Sequence, residues 1–201
     1  MNRSSEPSAG PIALRLFVAL AVPEAVREKM ARMQDRLRPL AAPGDVRWVA
    51  PEQFHLTLKF LGAVAATRLD AVKKSLAEAC AGTAPFRVRA NGIGFFPHAR
   101  SPRVLWIGIE DAEDRLTALQ RRVERLLSPW AEGPAENFRA HVTLGRFQKF
   151  RRHKTDRLAP AAMSSAGDSF GEWRAEQVDL MRSELSPAGA VHTVLSSTSL
   201  K

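Results

Sequence analysis

Apolar residues recur along this chain at two spacings, one typical of amphipathic helices and one typical of buried strands. The helical spacing predicts three helices, over about 24–37, 67–81 and 112–127. Pro23 and Glu24 favour the first turn of the first helix, and Gly82 is a natural stop after the second. Short apolar or alternating runs predict eight strands, over 14–20, 46–49, 54–61, 86–93, 103–109, 138–147, 178–181 and 191–195.

The two halves of the chain repeat the same order of elements, strand, helix and strand, and each half contains a similar tetrad. The tetrads are His55-Leu56-Thr57-Leu58 and His141-Val142-Thr143-Leu144, and the second begins 86 positions after the first. That interval is the size of a small lobe. The repeat predicts a duplicated α+β fold, with two lobes related by a pseudo-twofold axis and a cleft between them. Residues 1–11 are rich in Ser, Pro and Gly and are predicted to be disordered, leaving residues 12–201 as one bilobal domain.

The composition is that of a globular protein with a basic surface. The 201 residues are 45% hydrophobic and 25% charged, and the formal net charge is +9. A positive charge of this size suits a polyanionic partner such as RNA. Taken alone, it is also typical of an arginine-rich protein whose charges are simply solvated.

The cysteine count and the first apolar run indicate the cellular compartment of the protein. Cys80 is the only cysteine, which excludes an intrachain disulfide and a cysteine-based metal site, and fits a reducing compartment. The apolar segment 12–22 is interrupted by Arg15 and fits a strand better than a signal peptide. No apolar run has the length of a membrane span. We therefore predict a cytoplasmic protein with no membrane association.

Each tetrad carries candidate chemistry. Alternate side chains on a strand point to the same face, so His55 and Thr57 share one face, as do His141 and Thr143. Two such strands meeting in one cleft supply two imidazoles and two hydroxyls. Histidine both takes and gives protons near neutral pH, so this set suits proton transfer at a phosphate ester without a metal.

These residues carry a resemblance to a known family. The segments 55–62 and 141–146 resemble the two signature motifs of the 2H phosphoesterase superfamily. The flanking segments are similar to the RNA 2′,3′-cyclic phosphodiesterases, also called 2′-5′ RNA ligases, and are found at 16–19, 46–49, 95–97, 102–106 and 183–185. Relatives often carry an aromatic residue near His192 and a small residue at Gly145, and this chain contains no tyrosine.

The resemblance implies a fold, an activity and a set of roles. It implies two antiparallel sheets lining a central cleft, with helices outside, and hydrolysis of an RNA terminal 2′,3′-cyclic phosphate to a 2′-phosphate without a metal or cofactor. Some relatives also join 2′-5′ RNA ends by the reverse chemistry. In the forward direction we assign His55 as general acid to the O3′ leaving group and His141 as general base to water, and the exchanged assignment stays open.

Five further residues are candidates for substrate binding. Thr57 and Thr143 are placed to hydrogen-bond the non-bridging phosphate oxygens. Arg146 matches a family arginine that neutralises the phosphate, although strict alternation from His141 places it on the opposite face unless the strand bulges at Gly145. Phe17 and Trp48 are candidates for stacking on the terminal base.

Other basic and imidazole side chains have weaker assignments. Lys59 continues the face of His55 and either adds positive potential or is a solvated strand end. The run from 149 to 154, with Arg146, is either an RNA-tracking patch or a solvated charge run. His98 and His153 are interpreted as surface residues and His192 as an ordinary strand residue.

Three alternatives stay open at this point. A different 2H enzyme would act on 2′-5′ oligoadenylate or on a small cyclic nucleotide with the same tetrads. A non-catalytic RNA-binding module has no need of both intact histidines. A metal hydrolase is disfavoured because neither histidine has carboxylate or cysteine ligands at the usual spacing. We predict a monomer whose partner is RNA with a cyclic phosphate end or a cyclic nucleotide.

Overall fold

A computed structural model describes residues 12–133, 137–148, 156–186 and 189–201. The predicted disordered segment 1–11, most of the basic run and His153 lie outside these residues. The described chain forms nine strands: β1 (Ala13–Ala21), β2 (Val46–Trp48), β3 (His55–Ala65), β4 (Phe86–Phe96), β5 (Val104–Glu110), β6 (His141–Phe147), β7 (Ser169–Ala175), β8 (Gln177–Ser186) and β9 (Gly189–Ser199). It also forms four α-helices: α1 (Glu24–Leu37), α2 (Leu69–Cys80), α3 (Arg115–Leu127) and α4 (Leu158–Met163).

The predicted α+β class and duplicated architecture are confirmed, with one difference in the sheets. The strands follow the order β7-β4-β5-β6-β3-β1-β8-β9, every pairing is antiparallel, and β2 pairs with β6. The two expected sheets are therefore one continuous sheet. Its two parts join through a single residue pair, Leu56 opposite Val142. Beyond that pair β3 and β6 diverge, which opens the groove.

The lobes are not the two halves of the sequence. β3 and β1 share their lobe with the C-terminal hairpin β8–β9, whereas β6 shares its lobe with β5, β4 and β7. The helices are exchanged in the same way, since α1 packs against β7 while α2 packs against β8 and β9. Each lobe thus contains elements from both halves of the chain, an arrangement that element order alone does not reveal.

A buried glutamine connects α1 to the strands behind the groove. Gln34 is 1% exposed. Its Nε2 donates hydrogen bonds to the carbonyl oxygens of Val49, at 2.7 Å, and Leu144, at 2.9 Å. These bonds satisfy two backbone acceptors that α1 would otherwise cover, and they fix the helix against the second tetrad.

Several predicted boundaries differ from the structure. Helices α2 and α3 begin at Leu69 and Arg115, later than expected, whereas Gly82 adopts φ +66° and ends α2 as predicted. β7, which begins at Ser169, has no counterpart among the predicted strands. It carries few apolar residues, because a strand of an antiparallel sheet needs only one buried face. Helix α4 has no counterpart among the predicted elements.

Candidate active site

The two tetrads have the same shape in the structure. From His55 to Leu61 and from His141 to Phe147, both strands show an identical order of buried and accessible side chains. Leu56 and Val142 are fully buried and face the core. His55 and Thr57 therefore face the groove on one strand, and His141 and Thr143 face it on the other. The predicted convergence of the two motifs is present in the fold.

The strand register sets the spacing of the two imidazoles. Because Leu56 lies opposite Val142 in an antiparallel pair, His55 falls opposite Thr143 and Thr57 opposite His141. The two histidines are then diagonal neighbours across the single pair that joins β3 to β6, on the same face of the sheet. They are close enough for the charge of His141 to lower the pKa of His55.

Each histidine is held by the same backbone contact. Nδ1 of His55 lies 2.7 Å from the carbonyl oxygen of Gln53, and Nδ1 of His141 lies 2.6 Å from that of Arg139. A carbonyl oxygen only accepts, so we assign the ring proton to Nδ1 in both residues. The lone pair of Nε2 is then presented to the groove, ready to take a proton or to carry one.

Both histidines are neutral at pH 7, because burial lowers their pKa values. Burial lowers the pKa of His55 from 6.5 to about 4, and the nearby His192, Arg146 and His141 lower it further, against the contact with Gln53. Burial also lowers the pKa of His141, with Arg146 contributing. A negative charge placed between the rings would oppose these effects and raise both pKa values.

This burial predicts an acid-sensitive fold. Between pH 6.5 and about 4 the unfolded chain protonates His55 and the folded chain does not, so stability falls as pH falls through this window. Between pH 7 and pH 5 we expect the free energy of unfolding of His55→Gln to fall by about 2 kcal/mol less than that of the wild-type protein. Urea unfolding at the two pH values measures it, with His98→Gln at an exposed loop position as the control. An unchanged loss would contradict the assigned burial of His55.

A bulge brings Arg146 into the groove. The register with β5 shifts between Leu105, paired with Gly145, and Trp106, paired with Thr143, so that one extra residue enters β6. Arg146 thereby turns to the same face as His141, and its charge lowers the pKa of three groove histidines, His55, His141 and His192. The conflict between alternation and the expected role of Arg146 is resolved by this extra residue.

The same bulge explains Gly145. A Cβ added there would stand 2.6 Å from Cγ1 of Val46, so β2 approaches too closely for a side chain. β3 carries the corresponding shift, with Ala19 opposite Thr57 and Val18 opposite Lys59. Lys59 is therefore turned away from the groove face, and its Nζ forms a buried ion pair with Glu124 on α3 at 2.6 Å.

Of the two predicted stacking residues, neither presents a free ring face. Phe17 is 1% exposed and lies beneath His55, with the ring centroids 4.8 Å apart. Trp48 pairs with Gly145 while Arg47 pairs with Arg146, so Trp48 faces the helix side of the sheet and packs beneath the guanidinium of Arg38. The structure thus brings Phe17 to the floor of the groove and places Trp48 outside it.

Sequence reasoning missed three groove residues. His192 lies with its ring edge-on to both Phe17 and His55, at centroid distances of 4.9 and 5.1 Å. Phe96 packs edge-on against His141 at 5.0 Å. Phe60 is 51% exposed and occupies in β3 the position of Arg146 in β6. Aligning the two tetrads residue by residue would have marked Phe60, whereas His192 and Phe96 depend on strand pairings distant in sequence.

Comparison with known proteins is consistent with this geometry. The family model described as LigT like Phosphoesterase matches the chain twice, over residues 20–106 and 107–192. The chain belongs to the LigT-like phosphoesterase family. The double match confirms both the predicted family and the internal duplication, and each of the two matches contains one tetrad.

Several relatives of this chain have the same name, RNA 2′,3′-cyclic phosphodiesterase. The chain is 38% identical over 200 residues to the RNA 2′,3′-cyclic phosphodiesterase of Thermus thermophilus, covering 94% of this chain and 91% of that protein. It is 33% identical over 180 residues to the protein of that name from Methanothermobacter thermautotrophicus, covering 90% and 95%. Among solved structures, TT0787 of Thermus thermophilus superposes with a TM-score of 0.72 at 34% identity, covering 93% and 98%. E. coli LigT complexed with 3′-AMP superposes at 0.74 and 21% identity, covering 94% and 99%, and shows the shared fold.

Metal-ligand clusters and membrane-spanning helices were both sought among the described residues. No group of three or more His, Cys, Asp or Glu side chains stands close enough together there to hold a metal ion. Nor does that part of the chain contain a helix both long and apolar enough to cross a bilayer.

Proposed function

We propose that this chain hydrolyses the terminal 2′,3′-cyclic phosphate of RNA to a 2′-phosphate by acid-base catalysis between His55 and His141. The observation that carries the proposal is the matched pair of imidazoles. Both face one groove, and both have Nδ1 held by a carbonyl two residues earlier. Relatives with at least 30% identity over almost the whole chain are named for this activity.

The reaction needs one proton accepted and one donated. Nε2 of His141 takes a proton from water as the water oxygen forms its bond to phosphorus. The bond from phosphorus to O3′ breaks on the opposite side, and Nε2 of His55 delivers a proton to O3′. Thr57 and Thr143 donate hydrogen bonds to the non-bridging oxygens, and Arg146 balances the charge that accumulates on them. If an RNA 5′-hydroxyl replaces the water, the same steps form a 2′-5′ linkage.

The pockets beside the histidines support this direction. A larger, more polar pocket is lined by Thr57, Asn137, Arg139 and His141, which suits the approach of water to His141. A smaller pocket is lined by Phe17 and His192, which both pack against His55, and by Phe60, which also lines the larger pocket. Its ring walls suit a nucleoside. In-line displacement needs the nucleophile and the leaving group on opposite sides of phosphorus. O3′ belongs to the nucleoside, so it lies next to His55.

Two further proposals concern the oligomeric state and the cellular location of the protein. We propose a monomer, because one chain supplies both tetrads of the groove. A cytoplasmic location fits the only cysteine, Cys80, which is buried and whose pKa burial raises to about 11, so that it stays a thiol.

The decisive experiment supplies an RNA oligomer ending in a 2′,3′-cyclic phosphate, in excess EDTA. We expect complete conversion to a terminal 2′-phosphate, identified by ³¹P NMR, at the rate measured without EDTA. Parallel reactions contain 2′-5′ oligoadenylate and ADP-ribose 1″,2″-cyclic phosphate, the substrates of the alternative enzymes. A 3′-phosphate product, inhibition by EDTA, or faster turnover of either alternative substrate would overturn the proposal.

A further inference from the structure

The smaller pocket has features that the proposed chemistry does not use. It has a cavity volume of about 120 Å³ and is lined by Arg15, Leu16, Phe17, Phe60, Gly62, Ser183 and His192. Strand pairing explains how these residues meet. Arg15 and Phe17 alternate on β1, and Ser183 lies directly opposite His192 in the β8–β9 hairpin. None of the three polar residues is needed for proton transfer.

The walls of this pocket are aromatic. Phe60 is 51% exposed, and its ring centroid lies 5.8 Å from that of Phe17 at an angle of 42°. An exposed phenylalanine beside a catalytic groove offers a stacking face to any nucleobase. A flat ring fits such walls better than a phosphate does, and Arg146 already provides the cation for the phosphate.

His192 presents a hydrogen-bond donor to the pocket. Its Nδ1 is buried without a partner among the described residues, while the ring lines the pocket. Nδ1 is unpaired in either tautomer, and because a buried unpaired N–H is rarer in proteins than a buried unpaired lone pair, we assign the proton to Nε2. His192 therefore has the opposite tautomer to His55 and His141. Burial and Arg146 lower its pKa, so the ring stays neutral with a single N–H.

The second donor is Arg15. Its side chain is exposed, and no ion pair or hydrogen bond connects it to another side chain within the described parts of the chain. A guanidinium carries only donors, and Ser183 adds a hydroxyl that donates or accepts. The polar rim of the pocket is thus dominated by donors. These donors can hydrogen-bond a base edge that carries only acceptors. An amino group on the base edge would instead meet another donor.

We propose that this pocket holds the base of the 3′-terminal nucleotide and selects guanine through Arg15 and His192. The inference rests on the proposed function, because it assumes a nucleoside on the His55 side. Guanine O6 and N7 are adjacent acceptors that an arginine binds through two hydrogen bonds, whereas adenine places an amino group at the position of O6.

The test is a comparison of four substrates, the 2′,3′-cyclic monophosphates of guanosine, adenosine, uridine and cytidine. We expect kcat/KM for the guanosine substrate to exceed that for the adenosine substrate by about 10- to 100-fold, as one good bidentate contact provides. Arg15→Met retains the aliphatic stem and His192→Phe retains the ring, and each is expected to lower this ratio about tenfold. Arg36→Met and His98→Phe, at exposed positions outside the groove, are matched controls that keep the ratio.

The possible outcomes distinguish failure of this base assignment from failure of the proposed function. If none of the four substrates nor the RNA oligomer is hydrolysed, the proposed function fails. If all are hydrolysed with equal kcat/KM, or if both pocket variants keep the guanosine preference, the base assignment is overturned while the function stands. If Arg15→Met lowers kcat/KM only for substrates carrying a 5′-phosphate, the pocket binds that phosphate and the base assignment is again overturned.

Discussion

Replacing His55 or His141 with alanine is expected to lower kcat/KM for a 2′,3′-cyclic phosphate by about 10³- to 10⁴-fold. Positioned general acids and bases contribute about 10²–10⁴ each. The double variant should be little worse than either single variant, because the two transfers act as one unit. Circular dichroism and thermal unfolding check that each variant keeps the fold.

The leaving group separates the two roles. In a substrate with sulfur in place of O3′, the leaving thiolate departs without needing a proton. We expect this substrate to restore most of the activity of His55→Ala and none of that of His141→Ala. The reverse pattern would exchange the acid and the base, and near-wild-type activity of either variant on the natural ester would refute the acid-base assignment altogether.

Arg146→Ala is expected to have the second largest effect, a loss of about 10²- to 10³-fold in kcat. Removing one preorganised donor from developing negative charge costs about this much. Arg146→Lys should recover only part of the loss, since an ammonium cannot form the two parallel hydrogen bonds of a guanidinium. Arg36→Ala on the exposed face of α1 is the matched control for loss of a positive charge.

The same variant has a spectroscopic signature. The charge of Arg146 lowers the pKa of His55, His141 and His192, so its removal should raise all three. NMR titration of the imidazole protons measures these shifts in the free protein. If the pKa values stay constant, Arg146 does not face the groove, and the bulge at Gly145 does not have the consequence assigned to it.

Local pattern was enough to locate the tetrads, and pairing between distant strands was needed to complete the groove. His55, Thr57, His141 and Thr143 were predictable because period-two alternation fixes the face of a side chain within one strand. Arg146 required knowledge of an extra residue in β6, which depends on how β5 and β2 pack around Gly145. A glycine in the sequence permits such a bulge but does not predict one.

The predicted stacking residues and His192 are positions whose place in the fold could not be predicted from the sequence. Trp48 is an aromatic residue between Arg47 and Val49, and sequence alone does not say which face of a three-residue strand meets the helices. His192 resembles any other hairpin residue until β8 pairs with β1 and carries β9 to the rim of the groove. The exchange of elements between lobes made these positions unpredictable, because each depends on contacts between opposite ends of the chain.

That exchange also sets the order in which the enzyme can mature on the ribosome. β1 and β3 emerge first, yet β1 has an open edge until β8 is synthesised, some 160 residues later. The helix α1 likewise waits for β7. Nascent chains that end before residue 177 therefore hold His55 on an incomplete sheet, and the groove is complete only after β8 and β9 have left the exit tunnel.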